Sequence, residues 1–289
     1  ATRSDQGRYL LALDSSARSA IALLEIGIEG GKPTVRSVAV KTGATLSSLT
    51  YGALGAGFTM AGDGLRGTVV FGDAAATYAL LYTPGAAGSR FSALDTIPNP
   101  AGFHYLAAAT AGSDGAFWVV GVNGSNYEVR HLDAKTRVWD APVATVARAT
   151  GDALVPASDP YDPGRMLLVV SRPGSTPVYV LTGLVKGASR GALTPTAPNT
   201  GLDFTSSPYL QPVVLAPVGP SGRGYLVGRS SGETSERLYG IDLGTGVMTS
   251  TPIVFGAARH QTMVLERPDL SQTLALRADS AGAVSGGQT

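Results

Sequence analysis

The chain repeats itself. A tight polar turn, usually carrying Asp and Gly, leads straight into a short apolar strand, and six copies of this unit are present. They run Ser4–Leu13, Gly62–Val70, Ser113–Val120, Asp162–Val170, Pro220–Val227 and Arg267–Leu276. Aligned on Gly7, Gly64, Gly115, Gly164, Gly222 and Leu270, they stand 57, 51, 49, 58 and 48 residues apart. In the turn, Asp or Ser bonds its own backbone, and Gly takes the positive φ that side chains avoid. The strand that follows reads as a continuous apolar run, which predicts burial on both faces.

A second element follows about 10 to 15 residues later, an apolar strand that meets another turn. Its copies are Ala22–Gly31, Tyr78–Gly85, Tyr127–Thr136, Val178–Gly183 and Arg237–Gly246. Each unit therefore reads strand, turn, strand, turn, strand, with a more variable fourth strand between units. Helical periodicity is scarce. Asp73–Leu81 and Ala44–Leu54 are rich in Ala or Leu and are expected to make one or two helical turns each, no more.

Four strands in about 50 residues, repeated radially, is the β-propeller arrangement. The fold expected is all-β: one propeller domain spanning 1–289, with six blades and five as the alternative. By this count the first blade lacks its inner strand, and the last has only a remnant of outer strands in 282–289. In the five-bladed alternative, His260–Glu266 supplies the inner strand of the first blade. Either way, pairing of the N- and C-terminal strands closes the ring and removes open sheet edges. The turn-strand copies resemble those of bacterial TolB-like and YVTN-type β-propellers. Leu238-Tyr239-Gly240-Ile241-Asp242-Leu243-Gly244-Thr245-Gly246 is similar to the strand-Asp-x-x-Thr-Gly element of PQQ-like propellers. The tryptophan those blades carry after Thr-Gly is missing here, so the resemblance implies no PQQ, and no other cofactor is expected.

Composition narrows the chemistry. The sequence has no cysteine, which excludes disulfides, thiolate metal sites and a cysteine nucleophile. Charged residues make up 15% and the formal net charge is +1. An average soluble domain carries roughly 25% charged residues. A nucleic-acid binder needs a basic face, and 18 scattered Arg with 4 Lys do not supply one. No apolar run reaches about 18 residues, so no helix is expected to span a bilayer. Ala1–Ser4 fits a mature N-terminus left by signal removal, as well as an arbitrary start.

Three histidines are present, each placed in a different blade by this reading: His104, His131 and His260. His104 and His260 open inner strands, which line a propeller's channel. With Asp152, Asp159 and Asp203 near other inner strands, they define a candidate ligand-binding channel mouth. No catalytic set and no metal site is assigned. Asp159-Pro160-Tyr161-Asp162-Pro163-Gly164 sets two carboxylates on a rigid turn, which Pro alone explains equally well. Asn123 and Asn126 belong to a hairpin turn, where Asn is expected for its backbone. Asn123-Gly124-Ser125 also matches a glycosylation sequon. Ser113–Trp118 approaches an Asp-box but is one residue short.

The leading functional expectation is a non-enzymatic, secreted or periplasmic module for protein contacts or envelope assembly. Few charges leave broad neutral faces, and unfinished terminal blades invite a strand from another chain, including a second copy. The partners expected are proteins, not nucleic acid. Two alternatives stand beside it: a hydrolase or lyase with its site at the channel mouth, and a carbohydrate-binding propeller.

Overall fold

The computed structural model describes the backbone of the strands named below and of residues 67–83, 90–111 and 115–150. Side chains are described for 67–82, 92–111 and 115–150, and at 152, 156, 168 and 170. The described strands form six antiparallel sheets. Sheet one is β1 (Thr2–Arg3), β2 (Tyr9–Ser15), β3 (Ala20–Glu29) and β4 (Lys32–Thr42). Sheet two holds β5 (Gly57–Met60), β6 (Gly67–Gly72), β7 (Ala76–Thr83), β8 (Arg90–Phe91) and β9 (Asp95–Pro98). Sheet three is β10 (Phe103–Thr110), β11 (Ala116–Asn123), β12 (Asn126–Asp133) and β13 (Val138–Ala147). Sheet four is β14 (Ala153–Ser158), β15 (Met166–Ser171) and β16 (Val178–Leu181). Sheet five is β17 (Leu215–Pro217), β18 (Arg223–Gly228), β19 (Ser235–Asp242) and β20 (Ile253–Ala257). Sheet six is β21 (Thr262–Glu266), β22 (Thr273–Ala278) and β23 (Val284–Gln288).

The chain divides into two compact units, with the boundary at the end of β13. Sheets one to three belong to the first and sheets four to six to the second. Within the first unit, β5 lies beside both β1 and β10; within the second, β17 lies beside both β14 and β21. Within each unit, successive sheets thus meet along their first strands, as neighbouring propeller blades do.

The two repeats fall where the pattern placed them. The turn-strand copies are the second strand of every sheet, and the second element is the third strand of sheets one to five. All six residues of β6 are buried, as are the first six of β11. That is why these runs do not alternate: each strand has a packed layer on both sides. Gly115 sits at φ 85, the turn conformation for which the repeat needs glycine.

The core between sheets two and three is built from Val70, Ala79 and Ile97 on one side and Phe103, Tyr105, Phe117, Val119 and Leu132 on the other. Burying each large side chain contributes roughly 1.5–3 kcal/mol. β10 bulges between Tyr105 and Ala107, and the Tyr105 N–H leaves its own ladder to donate to the Asp73 carbonyl in sheet two, 3.1 Å away.

Five expectations need correction or placement. Asp73–Leu81 makes no helical turn. The Asp73 carboxylate takes the N–H groups of Ala75 and Ala76, and the chain then enters β7, paired with β6 from Thr77 to Tyr82. A local hydrogen bond and a sheet ladder outweigh the modest helix preference of four alanines. Ala44–Leu54 lies outside the described residues. His104 and His131 are not in different blades: β10 and β12 belong to one sheet. The first sheet does have a short first strand, because Thr2–Arg3 pairs with Tyr9–Leu10. Residues 262–266, assigned to the first blade in the five-bladed alternative, pair with β22 in sheet six.

Candidate functional site

Three chain reversals come together at one end of sheets two and three. The first is the β6–β7 turn at Asp73. Its Oδ1 accepts from Ala75 N at 2.8 Å and Ala76 N at 2.9 Å, and its Oδ2 accepts from the Tyr78 hydroxyl at 3.1 Å. The second is the β9–β10 connection. Asn99 Nδ2 donates to the Asp73 carbonyl at 3.1 Å, and Asn99 Oδ1 accepts from the Thr77 hydroxyl at 2.8 Å. The third is the β11–β12 hairpin, whose two-residue loop is Gly124-Ser125. Gly102 packs so near Asn123 that an added Cβ would lie 2.8 Å from Asn123 Oδ1.

These links fix a rigid end surface. Its exposed residues are Ala74, Ala75, Ala101, Gly102, His104, Gly124 and Ser125. His104 alternates with buried Phe103 and Tyr105 on β10, so its imidazole points away from the core. The exposed part of the surface is thus small and backbone-rich around one imidazole, with the Asp73 carboxylate half-buried among the donors of its own turn.

Beneath it lies a charged network the sequence did not announce. Glu128 and Arg130 are alternate residues of β12 and share a face. Glu128 Oε1 accepts from Asn123 Nδ2 at 3.0 Å, and Oε2 accepts from Arg130 Nε at 2.8 Å. Arg130 Nη1 donates to the Asp140 carbonyl at 3.2 Å, and the guanidinium lies 5.4 Å from the Phe103 ring centre. Opposite charges at i and i+2 of a strand, in a chain with so few charges, were the signal that could have found this pair. On the reverse face of sheet three, His131 Nδ1 stands 3.2 Å from Asp140 Oδ2, and Trp118 meets the imidazole edge-on at 5.3 Å. The two atoms make no hydrogen bond with each other.

Of the channel-mouth residues expected from sequence, two are described. His104 is the exposed imidazole of the end surface. Asp152 precedes β14, and its Oδ2 accepts the Ala149 N–H at 2.9 Å, so it shapes a turn. Asp159, Asp203 and His260 lie outside the described residues, as does the Asp159–Gly164 turn. Among the described residues no group of three or more His, Asp or Glu gathers as a metal site. No helix is long and apolar enough to cross a membrane among them.

Tyr78 gives a pH-dependent prediction. Burial first, then the hydrogen bond and charge of Asp73, raise its hydroxyl above the ordinary 10.0. A raised value means folding favours the neutral phenol. Stability from this source is complete below pH 10 and drains as pH climbs through the raised value. Urea titrations of wild type and Tyr78→Phe are expected to run parallel below pH 10 and to converge above it. Parallel curves throughout would refute the assignment.

No protein-family model and no curated protein matches the sequence. Solved structures do resemble it. The α-L-arabinofuranosidase Arb93A of Fusarium graminearum, in complex with an iminosugar inhibitor, superposes with a TM-score of 0.57 at 14% identity over 100% of this chain and 91% of that one. Oligogalacturonate lyase in complex with manganese gives 0.52 at 9% identity, over 94% and 74%. The nidogen/laminin complex gives 0.52 at 10%, over 97% and 93%. These neighbours are β-propeller proteins. With the antiparallel sheets and their repeat, they place the chain in the all-β propeller class.

Proposed function

We propose that the chain is a single six-bladed β-propeller, its ring closed by the terminal segments, that acts outside the cytoplasm as a protein-interaction module. The end surface carries this reading. It offers exposed backbone and small neutral side chains from three interlocked turns, and costs a partner little in desolvated charge. Its rigidity means little ordering entropy is lost on docking. The fold alone does not choose between roles, since its structural neighbours include a glycosidase, a lyase and a chain from a protein complex.

Proximity labelling in the source cells, with the label attached to this chain, tests it. Wild type is expected to mark a defined set of proteins, and Ala101→Arg/Ser125→Arg to lose that set while keeping its melting temperature. A labelling pattern unchanged by the variant, together with cleavage of arabinan or oligogalacturonate by the purified chain, would overturn the reading in favour of the enzyme.

A further inference from the structure

The outer edge of sheet two is closed by side chains in place of a strand. β9 pairs with β7 through Ala76↔Pro98, Thr77↔Ile97, Tyr78↔Thr96 and Ala79↔Asp95. On the side turned away from β7, two β9 carbonyls receive donors from Arg137, in the turn just before β13, and Trp139, in β13. Arg137 Nη2 donates to Thr96 O at 2.7 Å, and Trp139 Nε1 donates to Pro98 O at 3.1 Å. Pro98 itself has no N–H to offer. Arg137 also stands 3.6 Å from Asp95, an exposed pair worth little in stability.

The backbone points the same way. Arg137 has φ 62 and is the single non-glycine residue with positive φ among the described residues. That conformation belongs to Gly or Asn, and an arginine there is strained. What the strained residue supplies, and a glycine could not, is the guanidinium on Thr96. Trp139 is held for its own task by edge-on packing against Phe103 at 5.4 Å.

We infer that Arg137 and Trp139 are edge guards, whose hydrogen bonds to Thr96 and Pro98 keep β9 from pairing with β9 of a second copy of this chain. An unguarded edge strand is a template for another strand, and proteins blunt such edges with charges and proline. The inference is independent of the proposed function, because it concerns a sheet edge and not the end surface.

The test is the Arg137→Gly/Trp139→Phe variant. Glycine relieves the backbone strain, and phenylalanine keeps a ring against Phe103, so the variant is expected to fold. Sedimentation equilibrium is expected to show self-association at least about tenfold tighter than wild type. The Thr96 amide, which points outward with its carbonyl, is expected to gain hydrogen-exchange protection as concentration rises. Adding Thr96→Pro, which removes that donor, is expected to return the wild-type mass. A double variant that folds and sediments as wild type overturns the inference. So does association that persists unchanged with Thr96→Pro, because it would then arise elsewhere.

Discussion

Glu128→Ala is expected to destabilise the protein by about 3–5 kcal/mol, far beyond the loss of one surface charge. Its partner stays behind. Arg130 and Glu128 side chains are only 12% and 11% exposed, and the carboxylate accepts hydrogen bonds from Arg130 Nε and Asn123, with Arg130 Nη2 in ion-pair contact at 2.8 Å. Without it the guanidinium keeps the Asp140 carbonyl and the Phe103 ring, but no counter-charge within the pair. Removing both charges is a different case. Glu128→Leu/Arg130→Met is expected to lie within about 1 kcal/mol of wild type, because a buried ion pair barely repays its own desolvation. Urea midpoints of the single and double variants decide the matter. A single variant as stable as the double would mean that water reaches Arg130 and that the pair is not a buried one.

Gly121→Ala carries the second large effect, expected at about 3 kcal/mol or more, the upper range of overpacking costs. Gly121 lies on β11 opposite Tyr105 and Glu128. A Cβ there would overlap the Phe103 ring and come within 2.5 Å of the His104 carbonyl oxygen. The ring can be trimmed, but the carbonyl is held by the strand. Phe103→Leu added to Gly121→Ala is therefore expected to restore only part of the loss. Full restoration would show the ring to be the only obstacle. The same glycine seats Phe103, which packs on Trp139 and lies under Arg130, so the edge guard and the buried pair share one anchor.

Much of the architecture was legible in one dimension. Ala116–Val120 and Met166–Val170 are apolar without interruption, and that demands a packed layer on both faces whatever the topology. The Asp and Gly before such runs specify a reversal through local bonds, as Gly115 illustrates. Asp73–Leu81 was misread because its alanines fit a helix as well as a strand; only the partner strand β6 decides between them. His104 lies at the start of β10, the strand position read from the sequence. Asp152 turned out to hold its own turn, a use of Asp that local sequence cannot separate from ligand binding.

Sequence alone determined the period, the second strands of the sheets, the third strands of sheets one to five and the absence of thiol chemistry, because each depends on residue type and near neighbours. The tertiary structure decided that Trp139 caps Pro98 and that Arg137 spans 41 residues to reach Thr96. Those contacts join positions distant along the chain, and their energies exist only once sheets two and three have packed, so no local pattern encodes them.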